Sequence, residues 1–220
     1  MSSRDKIAFG IFCLIATFLI ASCGHSDKKE QSAESTDTTA AAPVQNESMD
    51  IRNWFNNPDL LKWSQRMSKK DSSFSITHFR KNGEEHLQSQ PAISYSREDW
   101  KAFLPYLVFS PDHSRAIDLY SYGNIAVKKP DDTDSLEGGD PDSEVSLVDV
   151  ATKHKQRLLF AGPGTVFQMA AWIDDSTVLI TGTSDANPDN KTEPVMWKVN
   201  LKDSTLNSYE YQRSDDSTFQ

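Results

Sequence analysis

Hydrophobic and polar residues alternate with a period of two through most of the second half of the chain. Four segments with this alternation fall between residues 106 and 161, and four more fall between residues 166 and 211. A period of two is typical of β-strands that bury one face. The pattern therefore predicts a mainly β fold, an antiparallel meander of two four-stranded units at 106–211.

The chain before these units contains two helical patterns. Asn57 and Pro58 are typical of a helix cap and a first helical residue, and they predict a helix that ends near Lys70. Its apolar stripe is formed by Leu60, Trp63 and Met67. A capping-box pattern that starts at Ser96 predicts a second, short helix, which Pro105 ends.

One strand is predicted between these helices. Residues 74–79 alternate in polarity, and Asn82-Gly83 is typical of a turn that follows a strand. We therefore expect residues 51–105 to form a helix and hairpin segment in front of the β units. The mostly polar residues 212–220 are expected to form a disordered tail.

The two β units align with one another along the sequence. Phe109 and Trp172 are 63 positions apart, whereas Val148 and Val199 are 51 positions apart. The difference of 12 is the size of the acidic stretch at 131–142. We interpret this stretch as an insertion into the first unit.

The turn after the first strand of each unit resembles the corresponding turn of TolB-type β-propeller blades, which reads aromatic-X-Pro-Asp. Residues 109–112 match that turn, and residues 172–175 match it without the proline. Residues 146–153 are similar to the third blade strand and its turn. The resemblance covers about half of the chain and implies two blade-like sheets. Because closed propellers have at least about four blades, we expect two sheets that pack face to face or a plain meander.

The N-terminus carries a short basic region, an apolar stretch and a cysteine. Residues 7–21 are uncharged, with a length typical of a secretory signal and short of the roughly 20 residues of a spanning helix. One aliphatic and two small residues then lead to Cys23, which resembles the lipobox of bacterial lipoproteins. The resemblance implies a signal peptide at 1–22, cleavage between Ser22 and Cys23, and acylation of Cys23. An ordinary signal peptide or an uncleaved anchor is the alternative.

Residues 23–50 are expected to be the lipidated cysteine and a disordered tether, because 24–50 contain no aromatic residue, leucine or isoleucine. Gly24 stands where enterobacterial lipoproteins of the inner membrane carry Asp, so the resemblance favours the outer membrane. Residues 27–30 are similar to the export signal of surface lipoproteins in Bacteroidetes. We expect a lipid-anchored protein of the cell envelope, at the periplasmic face of the outer membrane or at the cell surface.

The net charge and the sequence motifs disfavour several kinds of partner and site. A net charge of −9 disfavours a nucleic-acid partner, which needs cations to neutralise phosphates. None of the five histidines has the spacing of a metal site, and no cofactor is expected. Asp112, Asp174 and Asp175 are candidates for paired acid–base carboxylates, but their position in turns favours local hydrogen bonding instead.

The acidic insertion is a weak candidate for a calcium site. Residues 131–144 hold seven carboxylates beside two glycines, and calcium prefers oxygen ligands on a flexible loop. The candidate ligands are Asp132, Asp134, Asp140 and Asp142. The EF-hand order is missing and like charges repel, so a solvated loop is the favoured interpretation.

These observations favour a non-enzymatic envelope protein whose lipid anchor presents a β-rich binding domain to a protein or glycan partner. The partner class rests on analogy with blade-like domains. One alternative is an envelope hydrolase whose site is not visible in the sequence. Another is an accessory subunit of an outer-membrane complex.

Overall fold

Twelve β-strands and three α-helices make up the described part of the protein. The computed structural model describes residues 43–129, 134–138, 140–185 and 191–213, without the side chains of 43–48 and 134. The helices are α1 (Pro43–Trp54), α2 (Pro58–Lys70) and α3 (Arg97–Phe103). The strands are β1 (Phe79–His86), β2 (Ile93–Ser94), β3 (Val108–Phe109), β4 (Arg115–Asp118), β5 (Asn124–Lys128), β6 (Asp134–Gly138), β7 (Ser143–Asp149), β8 (His154–Ala161), β9 (Thr165–Trp172), β10 (Thr177–Ser184), β11 (Glu193–Asn200) and β12 (Thr205–Tyr211).

The strands form two five-stranded sheets and one separate hairpin, and their pairing is antiparallel throughout the described residues. The first sheet has the order β1-β12-β11-β10-β9, the second has the order β2-β8-β7-β4-β3, and β5 pairs with β6. The predicted mainly β, antiparallel fold with short helices before the strands is confirmed. Within the described ranges, neither sheet closes into a barrel or a propeller.

Three clusters of buried side chains divide the domain into layers. One cluster lies between the α1–α2 pair and the first sheet, and fully buried Trp63 and Phe79 belong to it. A second cluster lies between the two sheets, with Ile117 and Val145 from one sheet and Ile180 from the other. A third, smaller cluster lies on the far face of the second sheet, where buried Leu107, Ala116 and Val148 pack together and Trp100 of α3 packs against them. The order of layers is helix pair, sheet, sheet and short helix.

Both predicted helix caps are confirmed. The Asn57 side chain accepts a hydrogen bond of 3.0 Å from the Asp59 backbone N–H, and Pro58 is the first residue of α2. The Ser96 hydroxyl accepts one of 2.9 Å from the Asp99 N–H at the start of α3. Each cap satisfies a backbone donor that the first helical turn leaves unpaired.

The prediction of a strand at 74–79 with a turn at Asn82-Gly83 is wrong. A 3₁₀ turn occupies Ile76–His78, and β1 runs from Phe79 through Gly83 to His86. Its register against β12 shifts between Lys81 and Gly83, so the Asn-Gly pair forms a bulge in the strand. A β-carbon on Gly83 would lie 3.0 Å from the Ser208 hydroxyl, a close approach that explains why glycine suits the bulge.

Two predicted boundaries also need correction. Helix α1 begins at Pro43, inside the tether predicted at 23–50, because Ile51 and Phe55 near its C-terminal end pack into the first cluster. Residues 212 and 213, which were predicted to belong to a disordered tail, are held against the fold. The Gln212 N–H donates to the His78 carbonyl at 3.0 Å, and Arg213 lies 3.4 Å from the Glu193 carboxylate.

The turn after the third strand is equivalent in the two β units. In each unit, the residue after the third strand donates its backbone N–H to the carbonyl of the residue before the second strand. This bond runs from Val150 to Ser114 at 3.1 Å in the first unit and from Leu201 to Ser176 at 2.8 Å in the second. The same turn contains a non-glycine residue with positive φ in both units, 58° at Lys153 and 53° at Ser204. This confirms the predicted offset of 51 positions.

The likeness extends to a fifth strand that neither unit supplies itself. After β2, the Tyr95 N–H donates to the Lys153 carbonyl at 3.0 Å, and after β1 the Leu87 N–H donates to the Ser204 carbonyl at 2.8 Å. Each edge strand therefore joins the last strand of a unit in the same register. Strand β1 completes the second unit, whereas β2 completes the first.

Candidate functional site

A row of buried polar side chains lies on the face of the second sheet that is turned away from the first sheet. Asp118, Ser146 and Arg157 are direct neighbours across β4, β7 and β8. The residues on either side of them along the strands, such as Ile117 and Val145, pack between the sheets. Since side chains alternate along a strand, the polar row must point the other way. We call Asp118, Glu144, Ser146, Lys155 and Arg157 the polar face.

Asp118 ends β4 with its carboxylate enclosed. The residue is 3% exposed, and its Oδ1 accepts hydrogen bonds of 2.9 Å from the backbone N–H groups of Tyr120 and Ser121. Its Oδ2 accepts from the hydroxyls of Tyr95 and Ser121. Four donors thus hold one carboxylate in place, which satisfies a buried charge without a free lone pair for proton transfer.

Lys155 and Tyr95 cover this carboxylate. The Lys155 ammonium donates to the Ser121 hydroxyl at 2.6 Å, lies 3.8 Å from Asp118 and stands 5.2 Å from the centre of the Tyr95 ring. Burial, then the negative charge of Asp118 and its hydrogen bond, raise the pKa of Tyr95 well above its ordinary value. The phenol therefore remains a donor to Asp118 at any physiological pH.

Glu144 and Arg157 form the other half of the polar face. Glu144 is buried, and its Oε1 accepts 2.7 Å from the Ser146 hydroxyl. Its Oε2 accepts from the Arg157 guanidinium, at 2.7 Å from Nε and 2.6 Å from Nη2. The Arg157 side chain is 44% exposed. One edge of the guanidinium is therefore fixed by the carboxylate, while the rest of it faces solvent.

Aromatic rings set the plane of this guanidinium. Its central carbon lies 4.6 Å from the centre of the Phe160 ring and 5.9 Å from that of Tyr122. The two rings meet edge to face at 5.7 Å. Such cation–π contacts add to the ion pair and restrict the side chain to one orientation.

A shallow pocket of about 190 Å³ opens onto the polar face. Four of its lining residues belong to the polar face, and the segment before and within β2 supplies Gln90, Pro91 and Ile93. Ile93 and Phe160 are 63% and 46% exposed. Charged groups with fixed positions and exposed apolar groups therefore border one open depression.

A larger pocket of about 560 Å³ lies at the C-terminal end of α2, where Lys70, Asp71 and Phe74 line it. No site is assigned to it, because its lining residues Thr192 and Arg213 adjoin segments that lie outside the described residues.

The paired carboxylates considered as acid–base candidates belong to two separate turns. Hydrogen bonds, first from the Ser110 hydroxyl and then from Ser114, lower the pKa of Asp112 to about 2. In the second unit Asp174, not Asp175, takes this role, since Asp174 accepts 2.7 Å from the Ser176 N–H. The turn is one residue shorter, because the closing bond runs from Ile173 to Thr177 instead of from Ser110 to Arg115. Both carboxylates hold turns, as their sequence positions suggested.

The weak calcium candidates are not assembled within the described ranges. Asp132 and the side chain of Asp134 lie outside them. Asp140 accepts a 3.0 Å hydrogen bond from the Asp142 N–H, a local turn contact. No group of three or more His, Cys, Asp or Glu that could hold a metal occurs among the described residues. Part of the insertion is strand β6, so the open loop predicted there is in fact half of a hairpin with β5.

Cys23 and Ser22, the predicted lipidation and cleavage residues, lie outside the described part of the chain. Within that part, no helix is long and apolar enough to cross a membrane. Comparison with known proteins found no matching family, no similar curated protein and no similar solved structure.

The polar face was not identified from the sequence. Its residues are scattered from 118 to 157, and none of them forms a motif with its neighbours. One signal was present: the buried positions of an otherwise apolar sheet carry Asp118, Glu144 and Ser146, and buried charges need partners.

Proposed function

We propose that this protein is a lipid-anchored protein of the cell envelope, acylated at Cys23, which presents its β domain to a protein or glycan partner. The polar face is the surface that contacts the partner. The lipobox resemblance supports the anchor, and the arrangement of the polar face supports binding as the activity.

The finer description of the fold belongs to this proposal. Two units of four antiparallel strands, the first of them interrupted by the β5–β6 hairpin, have equivalent turns at Lys153 and Ser204. They support the description of the units as propeller-like blades that pack face to face. Two helices on one side and a short helix on the other take the place that further blades would occupy in a ring. Blade-like units are suited to binding, since loops and strand faces are presented on a rigid scaffold.

The observation that carries the proposal is the Arg157 guanidinium, which Glu144 fixes on one edge and solvent reaches on the other. Binding sites combine a few fixed polar groups with apolar neighbours, as here. Asp118 has all its hydrogen-bonding capacity in use, and Glu144 is tied to Ser146 and Arg157. Neither carboxylate is free to act as a general base, and this favours binding over hydrolysis.

The anchor is tested by substitution of Cys23. Cells that express the Cys23→Ala variant should incorporate no radiolabelled palmitate into the protein, because the acylated thiol is gone. The wild-type protein serves as the labelled control. Labelling that persists in the variant would overturn the lipoprotein assignment.

The binding surface is tested by photocrosslinking in intact cells. A benzophenone amino acid replaces Phe160 beside the polar face or, as a matched control, Leu61 on α2; the two side chains are 46% and 45% exposed. Irradiation should give a discrete adduct of higher mass from position 160 and none from position 61. Equal adducts at both positions, or none at 160, would contradict the proposal.

A further inference from the structure

We infer that the polar face binds an uncharged glycan, one sugar ring of which enters the pocket of about 190 Å³. This inference rests on the proposed function and names the partner class that the site fits. Three features carry it: the charge balance of the face, the mixture of donors and acceptors, and the apolar rim.

The charges of the polar face cancel within the site. Two cations, Lys155 and Arg157, lie against two carboxylates, Asp118 and Glu144, at 3.8 Å and 2.6 Å. A charged ligand would add an unbalanced charge beside these pairs and would have to compete with a partner already in place. An uncharged polar ligand leaves both pairs intact. The charge balance thus selects against phosphate, sulfate and carboxylate ligands.

Hydroxyl groups match the hydrogen-bonding capacity that remains. In the described part of the chain, Arg157 donates hydrogen bonds only to Glu144, so Nη1 is available as a donor. The exposed Gln90 amide, which also lines the pocket, offers both a donor and an acceptor. Each sugar hydroxyl donates one hydrogen bond and accepts others, so neighbouring hydroxyls can use the guanidinium and the amide together.

The rim supplies apolar contact of the kind that a sugar ring needs. Pro91 and Ile93 border the pocket on the edge-strand side, and Phe160 flanks Arg157 on the other. The C–H groups of a pyranose face are apolar and pack against such surfaces. Because the pocket is open and well below the about 300–1,000 Å³ of sites for larger ligands, it suits one ring of a chain that continues into solvent.

The shallowness of the pocket favours a polymeric glycan over a free sugar as the ligand. A single ring in a shallow site buries little surface, so affinity depends on further contacts along the chain or on repeated binding. Ile93 lines the pocket with an exposed side chain, and the exposed Phe160 ring beside Arg157 adds apolar surface outside the lining. An extended glycan can follow this rim.

The test measures retention of the detergent-solubilised, full-length protein on immobilised glycans. The probes are neutral gluco-, manno- and galacto-oligosaccharides, with sulfated and uronate-containing oligosaccharides beside them. We expect retention on at least one neutral probe, and a change of less than about twofold between 50 and 500 mM NaCl, because no counterions are released.

Variants locate the interaction on the polar face. Gln90→Ala should weaken binding about fivefold, the equivalent of one neutral hydrogen bond. Gln88→Ala is the matched control, since Gln88 is an exposed glutamine two positions away that donates to the His86 carbonyl and does not line the pocket. The double exchange Glu144→Gln with Arg157→Gln removes both charges of the pair together, so that neither partner is left as an unpaired charge, and should weaken binding at least about tenfold.

The outcomes separate this inference from the proposed function. Retention on sulfated or uronate probes alone, or equal retention of the Gln90→Ala and wild-type proteins, overturns the uncharged glycan. The absence of retention on every glycan together with a protein adduct from position 160 overturns the glycan and leaves the proposed function intact. The absence of both retention and adduct refutes the two together.

Discussion

Replacement of Gly182 by alanine tests how closely β9 and β10 approach one another. Gly182 lies opposite Phe167, where the register of the two strands shifts. A β-carbon at this position would lie 2.1 Å from the Val166 carbonyl oxygen and 3.2 Å from the Phe167 Cα. The optimum separation of such atoms is about 3.5–4.0 Å, so the backbone of β9 has to move by more than 1 Å, on the order of the difference between these distances.

Overpacking of this kind costs typically about 1–3 kcal/mol, and a clash with backbone lies toward the upper end because no side chain can rotate away. A loss of about 2–3 kcal/mol lowers the melting temperature of a domain of this size by roughly 4–12 °C. The measurement is thermal unfolding of Gly182→Ala followed by circular dichroism or calorimetry.

Gly162→Ala is the matched control for this substitution. A β-carbon on Gly162 would meet no atom within 4 Å, and its φ is not positive. An alanine there reduces the freedom of the unfolded chain and should leave stability unchanged or raise it by up to about 1 kcal/mol. If Gly182→Ala melted within 1 °C of the wild type, on the order of the measurement error, the close approach of β9 to β10 would be refuted.

Three further predictions concern the second sheet and its surroundings. Tyr95→Phe removes a donor to buried Asp118 and should lower the free energy of unfolding, measured by chemical denaturation, by about 1.5–3 kcal/mol. The control is Tyr122→Phe, whose hydroxyl bonds to no described residue and whose loss should cost less than about 0.5 kcal/mol. Equal losses of stability in the two variants would argue against the Asp118 network. Because the pKa of Asp112 is lowered to about 2 from an unfolded value of about 3.9, its charge stabilises the fold above about pH 4, and this contribution disappears as the pH falls toward 2. The advantage in melting temperature of the wild type over Asp112→Asn should therefore shrink in that range, and a difference independent of pH would contradict the turn contacts. Replacement of residues 124–140 by a short Gly-Ser linker should lower the free energy of unfolding by less than about 1 kcal/mol, because β5 and β6 pair only with each other among the described strands. A large loss of stability would show that the hairpin supports the core.

The strands that could be predicted from the sequence are those that place apolar residues on the faces of the two large sheets. In β10, Val178 and Ile180 lie in the cluster between the sheets, whereas Leu179 lies in the cluster under the helix pair. The offset of 51 positions between the units was also visible, because the turn after the third strand needs the same residue types in both. Sequence patterns therefore predicted those strands and turns whose conformation depends on residues nearby in the chain.

Strand β1 could not be predicted in this way. Only Phe79 is buried in this strand; of the seven residues that follow it through His86, two are intermediate in exposure and five are exposed. Pairing with β12 selects its conformation, and that partner is far away in the sequence. Its Asn-Gly pair favours a turn locally, but the ladder on both sides turns it into a bulge.

The polar face was hidden for the same reason. Asp118, Ser146 and Arg157 become neighbours only through the registers of three strands. No spacing along the chain encodes those registers. Sequence patterns identified the sheet that carries the site but not the rows of side chains across it.

Strand β1 comes before both units in the sequence but pairs with the last strand of the second unit, and this affects how the protein folds. His78 and Tyr211 are bonded across 133 positions, so β1 must wait for the last strand before it can pair. Contacts this distant slow folding and leave strand edges unprotected in the meantime. We expect neither unit to be stable alone, and the protein to unfold in one cooperative step.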